Sequence, residues 1–228
     1  MAAKKVTRKQ LLKEPDEFIT FSGRLIQFAM KYKIQLLAGI GVGCAVLMLI
    51  SGFVYFSKKS EEKAFALFQQ GINKYKTLSQ SIGPVKAYQE VNENFEFILK
   101  KYAGKEGGKL ARVSYADICY KAGEYDKAVS LYRESLGDFG DQQPEKYLVL
   151  SGLGYSYAAK QAYQEAATYF EKIASEPESI MQDEALFNLG RIYHALGNPE
   201  KSKASYEKIV SGHPDSMYLE LAKEKVTG

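Results

Sequence analysis

The feature that most restricts the fold is a pattern written three times in the C-terminal half of the chain. The stretches "KLARVSYADICYKAGEYDKAVSLYRESLGDFG", "YLVLSGLGYSYAAKQAYQEAATYFEKIASEP" and "DEALFNLGRIYHALGNPEKSKASYEKIVSGHP" align on one another. Each has a small residue in its first half (Ala116, Gly154, Gly190), followed three positions later by Cys119, Tyr157 or Tyr193. Each then has a second small residue (Ala128, Ala166, Ser202) and an aromatic four beyond it (Tyr132, Phe170, Tyr206). Equivalent positions recur after 38 and then 36 residues. Self-similarity at such a period marks a stacked array, in which each unit buries its apolar face only against its neighbours.

These residue types have a physical role. Where two antiparallel helices cross closely, a small side chain on each lets the backbones approach, and aromatics fill the space beside the crossing. Gly123 and Gly197 mark the turns inside the first and third units, and Gln161 stands at that place in the second. Asn198 and Pro199 read as an N-cap and a first helical position. Pro177 and Pro214 close the second and third units, and "SMYLELAKEKV" reads as the solvating end helix that such an array requires.

A second feature lies upstream. From Leu36 to Phe56 the chain runs 21 residues without a charge. As a helix this spans roughly 30 Å, the hydrocarbon thickness of a bilayer. A cleaved signal fits poorly, because its charged leader is short and its apolar region covers about 7 to 15 residues. An acylated cysteine also fits poorly: Gly41 stands three before Cys44, and the apolar run Ala45 to Phe56 follows the cysteine instead of preceding it. A retained transmembrane helix over residues 34–57 is therefore expected, with Cys44 an ordinary small residue in it. Gly39 and Gly43 form a GxxxG, which opens the possibility of pairing with another membrane helix.

Charge separates the chain into two parts. The first 33 residues hold eight Lys/Arg and three acids, whereas the remaining 195 hold 23 bases and 24 acids. The basic balance belongs to the tail, which argues against nucleic-acid binding by the repeat region and is better matched to membrane orientation and anionic headgroups. Close to the span the count runs the other way, three bases before and five after, but a long following segment translocates largely regardless of charge. The N-terminus is read as cytoplasmic. Within the tail, Phe18, Phe21, Leu25, Phe28 and Tyr32 form an apolar stripe at helical spacing, with Asp16 and Glu17 at its start and Lys31 and Lys33 at its end. Its destination is the membrane surface or a groove on a partner; the lipid bilayer is preferred.

The three units resemble the tetratricopeptide repeat, most closely the third, through Leu186, Leu189, Gly190, Tyr193, Gly197, Tyr206 and Pro214. Together with the residues upstream, this reads as an all-α chain: a basic tail with an amphipathic helix over 1–33, a transmembrane helix over 34–57 and a degenerate helical pair over 60–108. A tetratricopeptide α-solenoid then occupies 109–228, with repeats over about 109–140, 147–177 and 183–215 and a capping helix. Residues 60–102 read as two helices separated by Ser79 to Pro84, with Phe95, Ile98, Leu99 and Tyr102 facing the next unit.

Such arrays carry no built-in chemistry and bind proteins on the face made by their first helices. Carrying over the family's groove positions gives Val113, Asp117, Tyr120 and Lys121, then Ser151 and Tyr155, then Phe187, Asn188, Arg191 and His194. The cluster of Lys, Arg and Asn that clamps acidic chaperone tails in some members is lacking. With two cysteines and two histidines at no recognisable spacing, no catalytic residues, cofactor or metal are expected. The whole layout is similar to the bacterial ancillary SecYEG translocon subunit family. That implies an inner-membrane scaffold with periplasmic repeats, working in protein export with translocon subunits or periplasmic chaperones. An adaptor of another envelope complex, in division, secretion or envelope assembly, is the alternative.

Overall fold

The computed structural model describes residues 17–139, 144–177 and 179–227, with the side chains of residues 17–20 left aside. The basic cluster of residues 4–13 and Asp16, the side chains of Glu17 and Phe18, and Gly140 at the end of the first unit lie outside this description. Ten helices and no strand occur among the described residues: α1 (Glu17–Lys31), α2 (Lys33–Ile82), α3 (Pro84–Tyr102), α4 (Glu106–Ala122), α5 (Tyr125–Phe139), α6 (Glu145–Ala159), α7 (Tyr163–Ala174), α8 (Gln182–Ala195), α9 (Pro199–Gly212) and α10 (Leu219–Thr227). The chain divides at Lys58 and Lys59 into two compact units.

In the first unit α1 carries Phe21, Leu25 and Phe28 exposed, with the Phe28 ring 4.8 Å from that of Tyr32. The apolar part of α2 follows after one residue; it is long and apolar enough to cross a membrane, and none of its most apolar window is buried. Methyl groups placed on Gly39 and Gly43 would meet nothing within 4 Å, so that side of the helix is open. The helix does not stop at the end of the apolar run. "SKKSEEKAFALFQQ" contains no glycine or proline and is rich in good helix formers, so α2 continues to Ile82. The break expected over Ser79 to Pro84 narrows to Gly83, whose φ of 82° reverses the chain before Pro84 starts α3.

The second unit is a succession of helical hairpins. The C-terminal part of α2 pairs with α3, α4 with α5, α6 with α7, and α8 with α9, while α10 packs on α9. The hairpins share one crossing device. A Cβ built on Gly154 would lie 2.6 Å from the Phe170 ring, and one on Gly190 would lie 2.4 Å from the Tyr206 ring. In both cases sixteen residues separate the pair, as they separate Ala116 from Tyr132. The α2–α3 hairpin uses the same device with Gly71 and Phe95, where the Cβ would meet the ring at 3.2 Å, but twenty-four residues separate them. Its two helices are longer before they turn, which takes it out of register with the other units.

One core runs through the stacked hairpins, with Phe95, Tyr115, Ile118, Leu153, Phe170 and Ile173 essentially without solvent exposure. Each such side chain contributes about 1.5–3 kcal/mol relative to its exposed state. Successive hairpins are also joined by polar contacts that no single unit can make. Tyr115 donates to Asn92. Lys127 donates to Asn92 at 3.1 Å and Glu96 at 2.7 Å. Arg133 donates to the Tyr157 hydroxyl, and the Tyr193 hydroxyl donates to Glu171. Inside the α4–α5 hairpin, the buried Arg112 pairs with Asp138 and approaches Glu134 at 3.5 Å. At the far end Asn198 caps α9 by accepting from the Lys201 amide at 3.0 Å, as its sequence context predicts.

Candidate functional site

The first helices of the three repeats, α4, α6 and α8, place side by side several of the positions carried over from the family. The Tyr120 ring on α4 lies 6.4 Å from that of Tyr155 on α6, and Tyr125 flanks Tyr120 at 5.7 Å. The Tyr155 hydroxyl donates to Glu184 at 2.8 Å and accepts from the Asn188 amide at 2.9 Å, both on α8. Ser151 donates to the same carboxylate at 3.1 Å, and Arg191 reaches Asn188 at 3.5 Å. Tyr120, Tyr155, Asn188 and Arg191 thus form one connected strip across three helices. Asn188 is buried and engaged inside it, whereas Arg191 is exposed at its edge.

Burial, and then the bond to Glu184, push the Tyr155 hydroxyl well above the ordinary tyrosine range, so it stays a neutral donor. Burial raises Tyr120 as well, with Tyr125 adding to this and Arg191 opposing it.

The other carried-over residues divide between the ends of the strip. Asp117 pairs with Lys121 at 2.6 Å, one turn apart on α4, beside a cleft of about 440 Å³. Ile72 and Tyr75 of α2, Val113 of α4 and Leu148 of α6 line that cleft. Phe187 does not present a free face. Its ring stacks on Tyr218 at 4.6 Å and meets Tyr206 edge-on at 5.7 Å, because the chain leading into α10 folds over it. His194 is exposed beside Arg191 on a second cleft, of about 750 Å³, between α8, α9 and α10.

Sequence reasoning missed Glu184, Tyr125 and the α2 wall. Glu184 precedes Asn188 by one helical turn, so its spacing alone places it on the same face. Ile72 and Tyr75 offered no comparable signal, since the α2–α3 hairpin is out of register. Among the described residues no group of three or more His, Cys, Asp or Glu is placed to hold a metal ion.

Comparison with known proteins agrees with this architecture. Residues 116–179 and 183–211 each match a family model described as tetratricopeptide repeat. A human relative, intraflagellar transport protein 88 homolog, is 26% identical over 143 residues, which is 60% of this chain but 16% of that protein; the chain thus spans only a small part of its relative's length. Among solved structures, the nearly identical TPR-like repeats of a Podosopora anserina kinesin light chain superpose with a TM-score of 0.56. That match has 14% identity and covers 73% of this chain and 84% of the other. PilW, described as a widely conserved type IV pilus biogenesis factor, superposes with a TM-score of 0.55 at 19% identity, covering 70% and 67%. A tetratricopeptide repeat protein from Parabacteroides merdae superposes with a TM-score of 0.54 at 17% identity, covering 71% and 59%. At these identities the structures speak for the fold alone. With the repeat models falling on the helices α4 to α9 that build the strip, this part of the chain is an array of tetratricopeptide repeats.

Proposed function

We propose that the protein is a membrane-anchored interaction scaffold of the bacterial inner membrane, with its N-terminus in the cytoplasm and its repeats in the periplasm. In this role it serves protein export, engaging translocon subunits or periplasmic chaperones through the face of α4, α6 and α8. The observation that carries this reading is the strip from Tyr120 through Tyr155 to Arg191, a shared aromatic and hydrogen-bonding surface of the kind partners use as anchors. The unburied apolar part of α2 supports the anchor. No reaction is assigned, because the strip's polar groups are engaged with one another instead of being poised around a reacting atom.

A second reading keeps the scaffold and changes the partner to another envelope complex, in division, secretion or envelope assembly. The likeness to PilW, itself a pilus biogenesis factor, is what favours it. Photo-crosslinking in living cells from Tyr155 and Arg191 separates the two. Capture of translocon subunits or exported chains is expected. Capture only of division or secretion-machine components overturns the export role, and no capture from either position overturns the groove. Orientation is checked in a Cys44→Ser, Cys119→Ala background carrying Lys105→Cys. Labelling by an impermeant maleimide in intact spheroplasts is expected, and protection reverses the topology.

A further inference from the structure

Helix α1 carries an apolar surface that the described residues of the first unit leave largely open. Phe21, Leu25, Ile26, Phe28 and Met30 are each more than half exposed. Together with Ser22 and Ala29 they take up roughly 200° of the helix circumference at about 3.6 residues per turn. Arg24, Gln27 and Lys31 recur at steps of three and four, and so form a narrow polar stripe along the remainder. From Phe21 to Lys33 the chain has three cations and no acid. A surface this broad is not the seam of a helix pair, because a second copy would cover a stripe about two residues in seven wide and leave the greater part in water. The surface of a bilayer takes a face of this breadth.

From its continuity with the span and its charge we infer that α1 lies in the headgroup layer of the leaflet that α2 enters. Phe21, Leu25 and Ile26 sit among the acyl chains, and Arg24 and Lys31 reach the phosphates of anionic lipids. Tyr32 alone separates α1 from α2. The bonds kept across that joint run from the Tyr32 amide to the Phe28 carbonyl at 3.0 Å and from the Leu36 amide to the Tyr32 carbonyl at 2.9 Å, on the aromatic side of the helix. A helix bends by opening its ladder on the outer side of the curve, so a bend hinged here tips α1 towards its apolar side and turns that side to the bilayer. The inference rests on the membrane anchor of the scaffold reading and not on the partner of the repeats. It gives the chain a second, lipid-selective attachment beside the span.

The test uses the full chain in vesicles of phosphatidylcholine with about a third phosphatidylglycerol, read by electron paramagnetic resonance. Nitroxides are attached one at a time to Leu25→Cys or Gln27→Cys in a Cys44→Ser, Cys119→Ala background, and to the native Cys44 with Cys119→Ala alone. Oxygen partitions into the bilayer, whereas a nickel chelate stays in water. The ratio of oxygen to chelate collisions at residue 25 is expected to exceed that at residue 27 about fivefold or more, and Arg24→Glu, Lys31→Glu is expected to abolish most of that excess. Equally low ratios at both positions mean a helix in water awaiting a protein groove, and equally high ratios mean a longer transmembrane run; either overturns the inference. Spin–spin broadening at residue 25, which marks a second copy, overturns it too, as does an excess that survives charge reversal. Cys44 reports the anchor separately. A high ratio there beside a failed contrast on α1 leaves the anchor standing, and a low one removes the anchor and this inference with it.

Discussion

Gln161 shows how one residue departs from its repeat. The turn inside each repeat needs a left-handed residue, and Gly123 and Gly197 adopt φ of 85° and 72°; Gln161 is held at 61° in the same role. A residue with a Cβ pays about 1–2 kcal/mol there, partly offset by glycine's greater freedom in the unfolded chain. Gln161→Gly is therefore expected to stabilise the domain by about 0.5–1 kcal/mol, read as a higher urea midpoint at unchanged slope. Gly154→Ala acts in the opposite direction, because the new methyl would have to displace the Phe170 ring; a loss of about 1–3 kcal/mol is expected in the same measurement.

Protonation adds a further residue-scale expectation. Burial pushes the Cys119 thiol up to about 12, and burial with the Glu171 bond pushes Tyr193 up to about 12. The unfolded chain releases these protons near 9 and 10, so across that interval the folded form binds more protons, and stability falls as pH rises from about 9 towards 12. Denaturant titrations at pH 8 and pH 10.5 check the sign. The same burial predicts that Cys119 resists thiol reagents at pH 8 until the domain unfolds.

At the scale of elements, the hairpin of α2 and α3 is joined to the first repeat by a close crossing. The Gly107 amide at the start of α4 donates to Glu61 of α2 at 3.0 Å, and a Cβ on Gly107 would lie 2.5 Å from the Phe65 amide nitrogen. The first turn of α4 thus has one of its otherwise unsatisfied donors met by a neighbouring helix. Gly107→Val forces the two backbones apart and is expected to cost about 1–3 kcal/mol. Hydrogen exchange is expected to show α2 and α3 losing protection ahead of α6 to α9; uniform loss would mean that the crossing is not a local joint.

For the whole molecule, a stacked array is stabilised by nearest-neighbour interfaces, so an end unit protects what lies beneath it. Ser216 donates to Asp183 at 2.6 Å, Tyr218 stacks on Phe187, and the fully buried Ala222 joins Leu186, Tyr206 and Ile209 in a small cluster. Truncation after Pro214 is expected to expose Phe187 and Tyr206 and to deprotect α8 and α9 selectively, while α4 and α5 keep their exchange rates. A cooperative, uniform loss of protection would instead make the second unit a single indivisible body.

Local pattern was enough to determine the helical hairpins, the small-and-aromatic crossings at Gly154 and Gly190, the cap at Asn198 and the uncharged run ahead of the repeats, because each depends on residues a few turns apart. What only the tertiary structure decided are the features made between units. The bond from Tyr155 to Glu184, the covering of Phe187 by Tyr218 and the contact of Tyr120 with Tyr155 all join positions brought together by stacking. The physical reason is that a repeat's period specifies its own fold, whereas the face it shows a partner depends on which neighbours have already claimed its polar and aromatic groups.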